Sequence, residues 1–363
     1  MRMIHCADLH LDSAMTTYLD RDKANERKQE LLNGFIKMVD FAAANKVEVI
    51  LIAGDMFDTK DVQRTTKNTV IYQIEKHPEI RFYYLKGNHD GDNFIDELID
   101  VPENLYLFND QWTSYKEGNN IRICGIEESA IKNPYIYDEL QLDKNEINIV
   151  MMHGQDTETG GSDVHDINLR ALQNKGIDYL ALGHIHTYRE GQLDRRGKYV
   201  YPGCLCGRGF DECGPHGFVI MNVNEEQHRV QSKFLPLDSR NLYEVYVDVS
   251  GCSTTIEMID KIAGQLIAYP ENALIKIVLR GQIDVECEKN LDFIQKTFEG
   301  QFYYVKVTDE TRLSVDVDKF AMDISLRGEF VRQVRQRQDL DDEEKNIVIR
   351  YGLQILDGEK EVE

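Results

Sequence analysis

Short apolar runs that stop at a polar cluster recur through the first half of the chain. The sharpest is Val47-Glu-Val-Ile-Leu-Ile-Ala-Gly-Asp55-Met-Phe-Asp58. A β-branched run of strand length, broken by Gly and followed at once by a carboxylate, predicts a buried parallel strand that delivers an acid to the carboxyl edge of its sheet. Four other runs end alike, at Asp8-Leu-His10, Asn88-His89-Asp90, His153-Gly154 and His184-Ile-His186. Between the first three runs the period changes. Leu31, Phe35, Met38, Val39 and Ala42 recur every three or four residues within 23–45, the mark of an amphipathic helix, and a second helix is expected at about 61–77. This strand–helix alternation predicts an α/β fold with a helix-covered parallel sheet.

From about 105 to 240 short strands dominate. Leu105–Phe108, Ile121–Ile126, Ile147–Met152, Ile177–Leu182, Tyr199–Pro202, Phe218–Val223 and Val230–Leu235 predict a second sheet packed on the first, with the polar stretch Asp156–Asp166 as a mobile loop over the site. Near Leu237–Asn241 the pattern resets. Strands at 243–249, 273–281 and 302–308 alternate with helices at 254–268 and 288–298, a βαβαβ unit with no cluster of His and acids, hence a small accessory domain over 241–317. In the tail, 318–363, Leu326, Phe330 and Val334 fall on one helical face and Ile347, Tyr351 and Ile355 on another, on either side of the acidic turn Asp339–Glu344. Two short helices of this kind either fold back on the core, since tertiary packing normally stabilises them, or present a docking face.

Composition narrows the classes. With 363 residues the chain can bury a full core in two domains. A net charge of -22 argues against broad electrostatic capture of nucleic acid or anionic membrane, so a polyanion would be met through bound cations or a partner. The amino terminus enters a strand directly, without the pattern of a signal peptide, and no segment reads as a membrane span. Seven cysteines, an odd number without framework spacing, favour a reduced, cytoplasmic setting. Cys204, Cys206 and Cys213 lie close in sequence, but free thiols suit them better than a zinc site lacking a fourth ligand.

The chemistry sits at the ends of the five runs. Asp, Asn and His are costly to bury unless paired or bound to metal, and a mixed oxygen and imidazole set suits manganese, iron or zinc better than calcium. Asp8, His10, Asp55, Asn88, His153, His184 and His186 are too many donors for one catalytic ion with an open position. They fit two ions sharing a carboxylate, which together activate water for attack on phosphorus, so phosphoester hydrolysis is the expected reaction. His89, between Asn88 and Asp90, is placed to stand beside the metals and, oriented by Asp90, to stabilise charge or protonate the leaving oxygen. By strand alternation His5 faces away from Asp8 and reads as a satisfied core histidine, while His77, His165, His216 and His228 read as surface residues.

Taken in order, Asp8-x-His10, Gly54-Asp55-x-x-Asp58, Gly87-Asn88-His89-Asp90, His153-Gly154 and Gly183-His184-x-His186 resemble the five blocks of the calcineurin-like metallophosphoesterases. The resemblance implies a four-layer α/β/β/α sandwich over about 1–240, a first metal on Asp8, His10, Asp55 and His186, and a second on Asp55, Asn88, His153 and His184. Met3–Leu11, Tyr201-Pro-Gly-Cys and Gly207-Arg-Gly-Phe-Asp-Glu-Cys-Gly214 are further similar to the SbcD-like DNA repair nucleases. That likeness implies a manganese-dependent exonuclease or endonuclease acting on DNA, a capping domain, and a helical tail that binds an SbcC-like coiled-coil ABC ATPase; it also allows a homodimer. No Gly-x-x-x-x-Gly-Lys-Ser/Thr motif occurs, so ATP dependence would reside in the partner. Some members carry His where Asp58 stands here, which leaves the endonuclease and exonuclease balance open. A phosphatase or phosphodiesterase for nucleotides or phosphoproteins would use the same metals, and a regulatory scaffold is a third reading.

Overall fold

A computed structural model of the chain describes residues 1–15, 19–59, 61–91, 94, 100–158, 166–237, 240–284, 287–314 and 323–356. His165 and most of the loop expected at 156–166 lie outside them. The chain divides into two compact units, Met1–Asn241 and Leu242–Glu363.

The first unit runs β1 (Arg2–Cys6), α1 (Arg21–Ala44), β2 (Val49–Ala53), α2 (Arg64–Lys76), β3 (Arg81–Leu85), β4 (Leu105–Leu107), β5 (Thr113–Glu117), β6 (Ile121–Gly125), α3 (Ile136–Glu139), β7 (Ile147–His153), β8 (Gln155–Thr157), β9 (Asp166–Asn168), α4 (Leu169–Leu172), β10 (Tyr179–Gly183), β11 (Arg189–Gln192), β12 (Lys198–Tyr201), β13 (Gly217–Asn224) and β14 (Arg229–Pro236). They build two six-stranded sheets, ordered β14-β13-β1-β2-β3-β4 and β11-β12-β10-β7-β6-β5. The central strands β1, β2 and β3 are parallel, as are β6, β7 and β10.

Alternation along each strand sets the layers. Met3, Val49, Leu51 and Tyr83 of the first sheet meet Ile123, Ile149, Met151 and Ala181 of the second in one core. On the outer face of the second sheet, Val150, Met152 and Leu180 pack with Ile136, Tyr137 and Leu172 of the short helices. Ile4, Ile50, Ile52 and Phe82, which alternate with the inward set, are fully buried on the other side of the first sheet. There α1, capped by the Asp20 side chain, buries Leu31, Phe35, Met38 and Val39, and the rings of Phe41 and Phe218 sit 5.3 Å apart. Helix, sheet, sheet and helix follow in that order, an α/β sandwich. Because β2 and β7 are covered on both faces, their sequences are nearly continuous apolar runs.

The expected second sheet needs correction. β4, β13 and β14 belong to the first sheet: β4 extends β3, and β13 pairs antiparallel with β1 from Arg2↔Asn222 to His5↔Val219. Alternating strands look alike in sequence whichever sheet they join, and this choice rests on a pairing across more than half the chain.

The second unit runs β15 (Leu242–Asp248), α5 (Thr255–Leu266), β16 (Leu274–Arg280), β17 (Gln282–Asp284), α6 (Leu291–Phe298), β18 (Tyr304–Asp309), β19 (Arg312–Ser314), α7 (Leu326–Gln336) and α8 (Asp342–Leu356). β15, β16 and β18 form a parallel sheet, joined through α5 and α6, whose first turns are capped by Thr254 and Asn290. In the tail α7 and α8 pack on each other, and of the rows read from the sequence only Phe330 and Val334 take part. Val331, Val334, Ile349 and Leu353 form the contact with Phe330, whereas Leu326, Ile347 and Ile355 are 71%, 43% and 62% exposed. The crossing of two helices decides which rows meet, and Gly352 lets the Phe330 ring come so near that a Cβ would lie 2.0 Å from its Cζ. No helix among the described residues is long and apolar enough to cross a membrane.

Candidate metal centre

β1, β2 and β3 from one sheet and β7 and β10 from the other end at the same place. The segments leaving β1 and β2 stay zipped beyond their sheet, with Asp8 N donating to Gly54 O at 3.1 Å, His10 N to Asp55 O at 3.0 Å and Leu11 N to Met56 O at 2.9 Å. To turn side chains inward from such a ladder the backbone becomes left-handed at Asp8 (φ 52), His10 (φ 42), Asp55 (φ 51) and His184 (φ 101). That region is uncommon for non-glycine residues, and four of them gather at this one edge. Gly54 has φ +92, and a Cβ there would lie 2.1 Å from His153 Nδ1, so conformation and space both demand glycine.

Asp8, His10, Asp55 and His153 are buried. Asp8 accepts His184 N on both oxygens, at 2.9 and 3.0 Å, and Asp55 Oδ1 accepts His89 N at 2.9 Å. Asp55 Oδ2 is then left 3.3 Å from His153 Nε2 and 3.8 Å from His10 Nε2. His153 Nε2 lies 3.1 Å from Asn88 Oδ1, and His184 Nδ1 lies 3.3 Å from the same oxygen. His10 Nε2 and His186 Nε2 are 3.1 Å apart. The ligand atoms of Asp8, His10 and His186, and those of Asp8, Asp55 and His153, fall within 4.8 Å of one another. All the residues read from the sequence as metal donors are therefore brought together.

Their electrostatics favour a cation. Burial pushes the Asp8 carboxyl upward in pKa, against the pull of His153. Burial acts the same way on Asp55, but His153 and His10 beside it outweigh that and hold it well below the usual carboxylate range. Burial would lower His153, yet Asp55 and Asp8 hold its pKa up at about 9.

The partners on the Nδ1 side leave Nε2 of each ring as its ligand atom. His153 Nδ1 donates to Ala53 O at 2.9 Å, which makes Nε2 the ligand atom, and a bound cation would displace the proton that Asp55 and Asp8 otherwise hold on it. His186 Nδ1 donates to Glu212 Oε1 at 2.7 Å, and His10 Nδ1 lies 3.1 Å from Asp58 Oδ1. With the proton of each ring on Nδ1, the two Nε2 atoms, 3.1 Å apart, present lone pairs to one point and are set to share a cation. Donors each about 2.1 Å from one ion, at angles between square and tetrahedral, stand roughly 3.0–3.4 Å apart. The gaps of 3.1 and 3.3 Å around His10, Asn88, Asp55 and His153 match. The donor set fits a pair of divalent ions.

Some other expectations change, and some hold. Asp90 does not orient His89: its carboxylate accepts Met56 N, Phe57 N and Gly87 N at 3.2, 2.9 and 3.0 Å, tying together the exits of β2 and β3. Burial, with Asp55 near, pushes its pKa up to about 6. His89 is exposed at the rim, and its Nδ1 lies 3.0 Å from the Asp58 carbonyl instead. His216, read as a surface residue, is buried, 2.7 Å from Glu212 O and 3.2 Å from Cys204 Sγ. Cys213 is exposed and bonds Phe210 O, away from buried Cys204 and Cys206, and all three are free thiols. His5 is a core histidine, its Nδ1 3.0 Å from the Tyr179 hydroxyl and its pKa lowered by burial to about 3.

Arg208 and Glu212 escaped the sequence reading. They lie in Gly207–Gly214, a stretch without the spacing of a metal motif, and only folding sets them behind the donors. Burial would raise Glu212, but His186 and Arg208 hold it well below the ordinary range for a carboxylate.

Residues 1–188 match the calcineurin-like phosphoesterase family, a match that takes in every donor above. The chain belongs to that family. Membership supports a metal-dependent phosphoester hydrolase. Among curated relatives, the chain is 30% identical over 239 residues to the uncharacterized metallophosphoesterase YhaO of Bacillus subtilis, covering 61% of this chain and 57% of that one. It is 27% identical over 206 residues to the DNA double-strand break repair protein Mre11 of Sulfolobus acidocaldarius, covering 53% and 52%. A probable cyclic nucleotide phosphodiesterase of Colwellia psychrerythraea is 27% identical over 159 residues, covering 39% and 56%. The chain thus spans about half the length of these relatives.

Proposed function

We propose that this member of the calcineurin-like phosphoesterases is a two-metal phosphodiesterase acting on DNA, the nuclease subunit of an SbcCD-like repair complex. The observation that carries the hydrolase is the meeting of donors from five strand ends at the gaps two shared ions require, 3.1 Å from His10 Nε2 to His186 Nε2 and 3.3 Å from His153 Nε2 to Asp55 Oδ2. Asp8, His10, Asp55 and His186 would hold one ion, and Asp55, Asn88, His153 and His184 the other, with Asp55 as the bridge. Bound there, two ions such as Mn²⁺ (or Fe²⁺ or Zn²⁺) supply Lewis acidity and make water a nucleophile at neutral pH.

The chain's own groups do the rest. His89 stands exposed beside the donors, and donation from its Nδ1 to the Asp58 carbonyl, 3.0 Å away, would leave Nε2 free to meet a phosphate oxygen or the leaving group. Asp90 keeps the loops bearing Asp55 and Asn88 in register through three backbone amides. DNA as substrate is supported by the likeness to a protein named for double-strand break repair and by the further unit beyond Asn241. The second unit would act as a cap over 241–317, and the helical tail would dock a coiled-coil ABC ATPase. That partner, together with bound cations, would also offset the net charge of -22 when a polyanion is engaged.

A nucleotide or phosphoprotein phosphatase or phosphodiesterase is the second reading, favoured by the cyclic nucleotide phosphodiesterase relative. Purified chain, stripped with EDTA and reloaded with Mn²⁺, is assayed on linear duplex DNA, circular single strands and a chromogenic phosphodiester. Metal-dependent cleavage of DNA supports the nuclease. Cleavage of the chromogenic ester alone favours the second reading, and inert esters throughout would end both.

A further inference from the structure

Behind His10 and His186 a single guanidinium joins two carboxylates. Arg208 Nη1 donates to Asp58 Oδ1 at 2.6 Å, while Nη2 and Nε donate to Glu212 Oε1 at 2.7 and 3.1 Å. Those same oxygens, Asp58 Oδ1 and Glu212 Oε1, lie 3.1 Å from His10 Nδ1 and 2.7 Å from His186 Nδ1. We propose that Arg208 is a positioning residue: by clamping Asp58 and Glu212 it aims both imidazoles of the first donor group at one point and sets how tightly that site holds its ion. The inference rests on the two-metal reading above.

Three features carry it. An imidazole turns about its own axis and exchanges tautomers, and a carboxylate on Nδ1 removes both freedoms and strengthens Nε2 as a ligand. Asp58 and Glu212 add two negative charges close to Asp8 and Asp55, and Arg208, bonded to both, offsets one of them locally. The clamp is also built in rather than draped on the surface. Arg208 N donates to Glu212 Oε2 at 2.7 Å, and the preceding carbonyl, Gly207 O, accepts from Arg27 of α1 at 2.5 Å. Arg27 is only 1% exposed and pairs with Glu30, which Arg240 also bonds. At Gly34 the same helix approaches the loop so closely that a Cβ would lie 2.7 Å from Cys206 Sγ. With Nε, Nη1 and Nη2 of Arg208 each already donating to Asp58 or Glu212, the geometry assigns it to holding ligands rather than to gripping a phosphate.

The test is calorimetric titration of MnCl₂ into the metal-stripped full chain. Wild type is expected to bind two ions. Arg208→Met and Glu212→Gln are each expected to weaken one of the two about 10- to 100-fold and leave the other unchanged, the scale at which ligand-orienting partners act. Turnover in these variants should recover toward wild type as Mn²⁺ is raised. Arg208→Lys, which keeps the charge but lacks the fork that bridges two carboxylates, should resemble Arg208→Met. Unaltered affinities in Arg208→Met and Glu212→Gln, or equal loss at both sites, would overturn the clamp alone. Fewer than two ions bound by wild type would overturn the two-metal reading and the clamp with it. Should Arg208→Met not fold by circular dichroism, Glu212→Gln and Arg208→Lys decide the matter.

Discussion

Adding one methyl group at Gly87 tests the geometry of the centre from within. Gly87 lies outside the left-handed region, so alanine adds no backbone strain there. Its Cβ, however, would lie 2.3 Å from Asp55 Oδ1, 2.7 Å from Asp55 N and 2.8 Å from His153 Cε1. A relaxed carbon–oxygen contact is about 3.3 Å, so the Asp55 carboxylate must retreat by roughly 1 Å. Two things then fail together: the proposed bridge leaves His153 Nε2, and Oδ1 gives up the 2.9 Å bond from His89 N that places the rim histidine. A misplacement of that size costs on the order of 10²-fold in rate, and overpacking a filled site costs roughly 1–3 kcal/mol of stability. Hydrolysis of a chromogenic phosphodiester in excess Mn²⁺, with a thermal melt alongside, reads both. Gly264→Ala is the control: it sits inside α5 with nothing within 4 Å of the new Cβ, and alanine there should stabilise by about 0.5–1 kcal/mol without changing turnover. If Gly87→Ala keeps activity within threefold of wild type and still binds two Mn²⁺, Asp55 is not where the chemistry depends on it.

Other outcomes follow from single groups. His89→Ala should leave metal content intact while turnover falls by roughly 10²–10⁴-fold; activity near wild type would remove His89 from the mechanism. His5 is a base whose pKa burial lowers from 6.5 to about 3, so between those values the unfolded chain binds a proton that the folded chain refuses. Its contribution is intact above pH 6.5 and is lost on acidification at about 1.4 kcal/mol per pH unit, roughly 2 kcal/mol by pH 5. Urea titrations at pH 7 and 5 should show that loss diminished in His5→Gln, and an equal loss in both proteins would contradict it. Deleting 318–363 should leave Mn²⁺ binding by the remainder intact and abolish association with the ATPase subunit; undiminished association would mean that α7 and α8 serve only each other.

Part of this protein could be read along the chain, because the cause acts along the chain. A run such as Val49–Ala53, apolar on both faces and cut by Gly54-Asp55, announces both a buried parallel strand and a carboxylate at its end. The donors Asp8, His10, Asp55, Asn88, His153, His184 and His186 stood out for the same reason: polar groups gathered at the edge of a core must have a partner, and metal suits a mixed carboxylate and imidazole set. What only folding decided depends on residues far apart. β13 joins the first sheet through a pairing with β1, and Arg208 reaches Asp58 across 150 positions. Asp90 bonds amides 34 and 33 positions away rather than its neighbour His89, because a buried carboxylate satisfies backbone donors that no pattern displays. In α7 and α8, periodicity marked both helices and found Phe330 and Val334, but the partner surface added Val331, Ile349 and Leu353 and left Leu326, Ile347 and Ile355 exposed. Period reports that a face exists; which face is covered is a property of the pair, since burial is a contact and takes two sides to make.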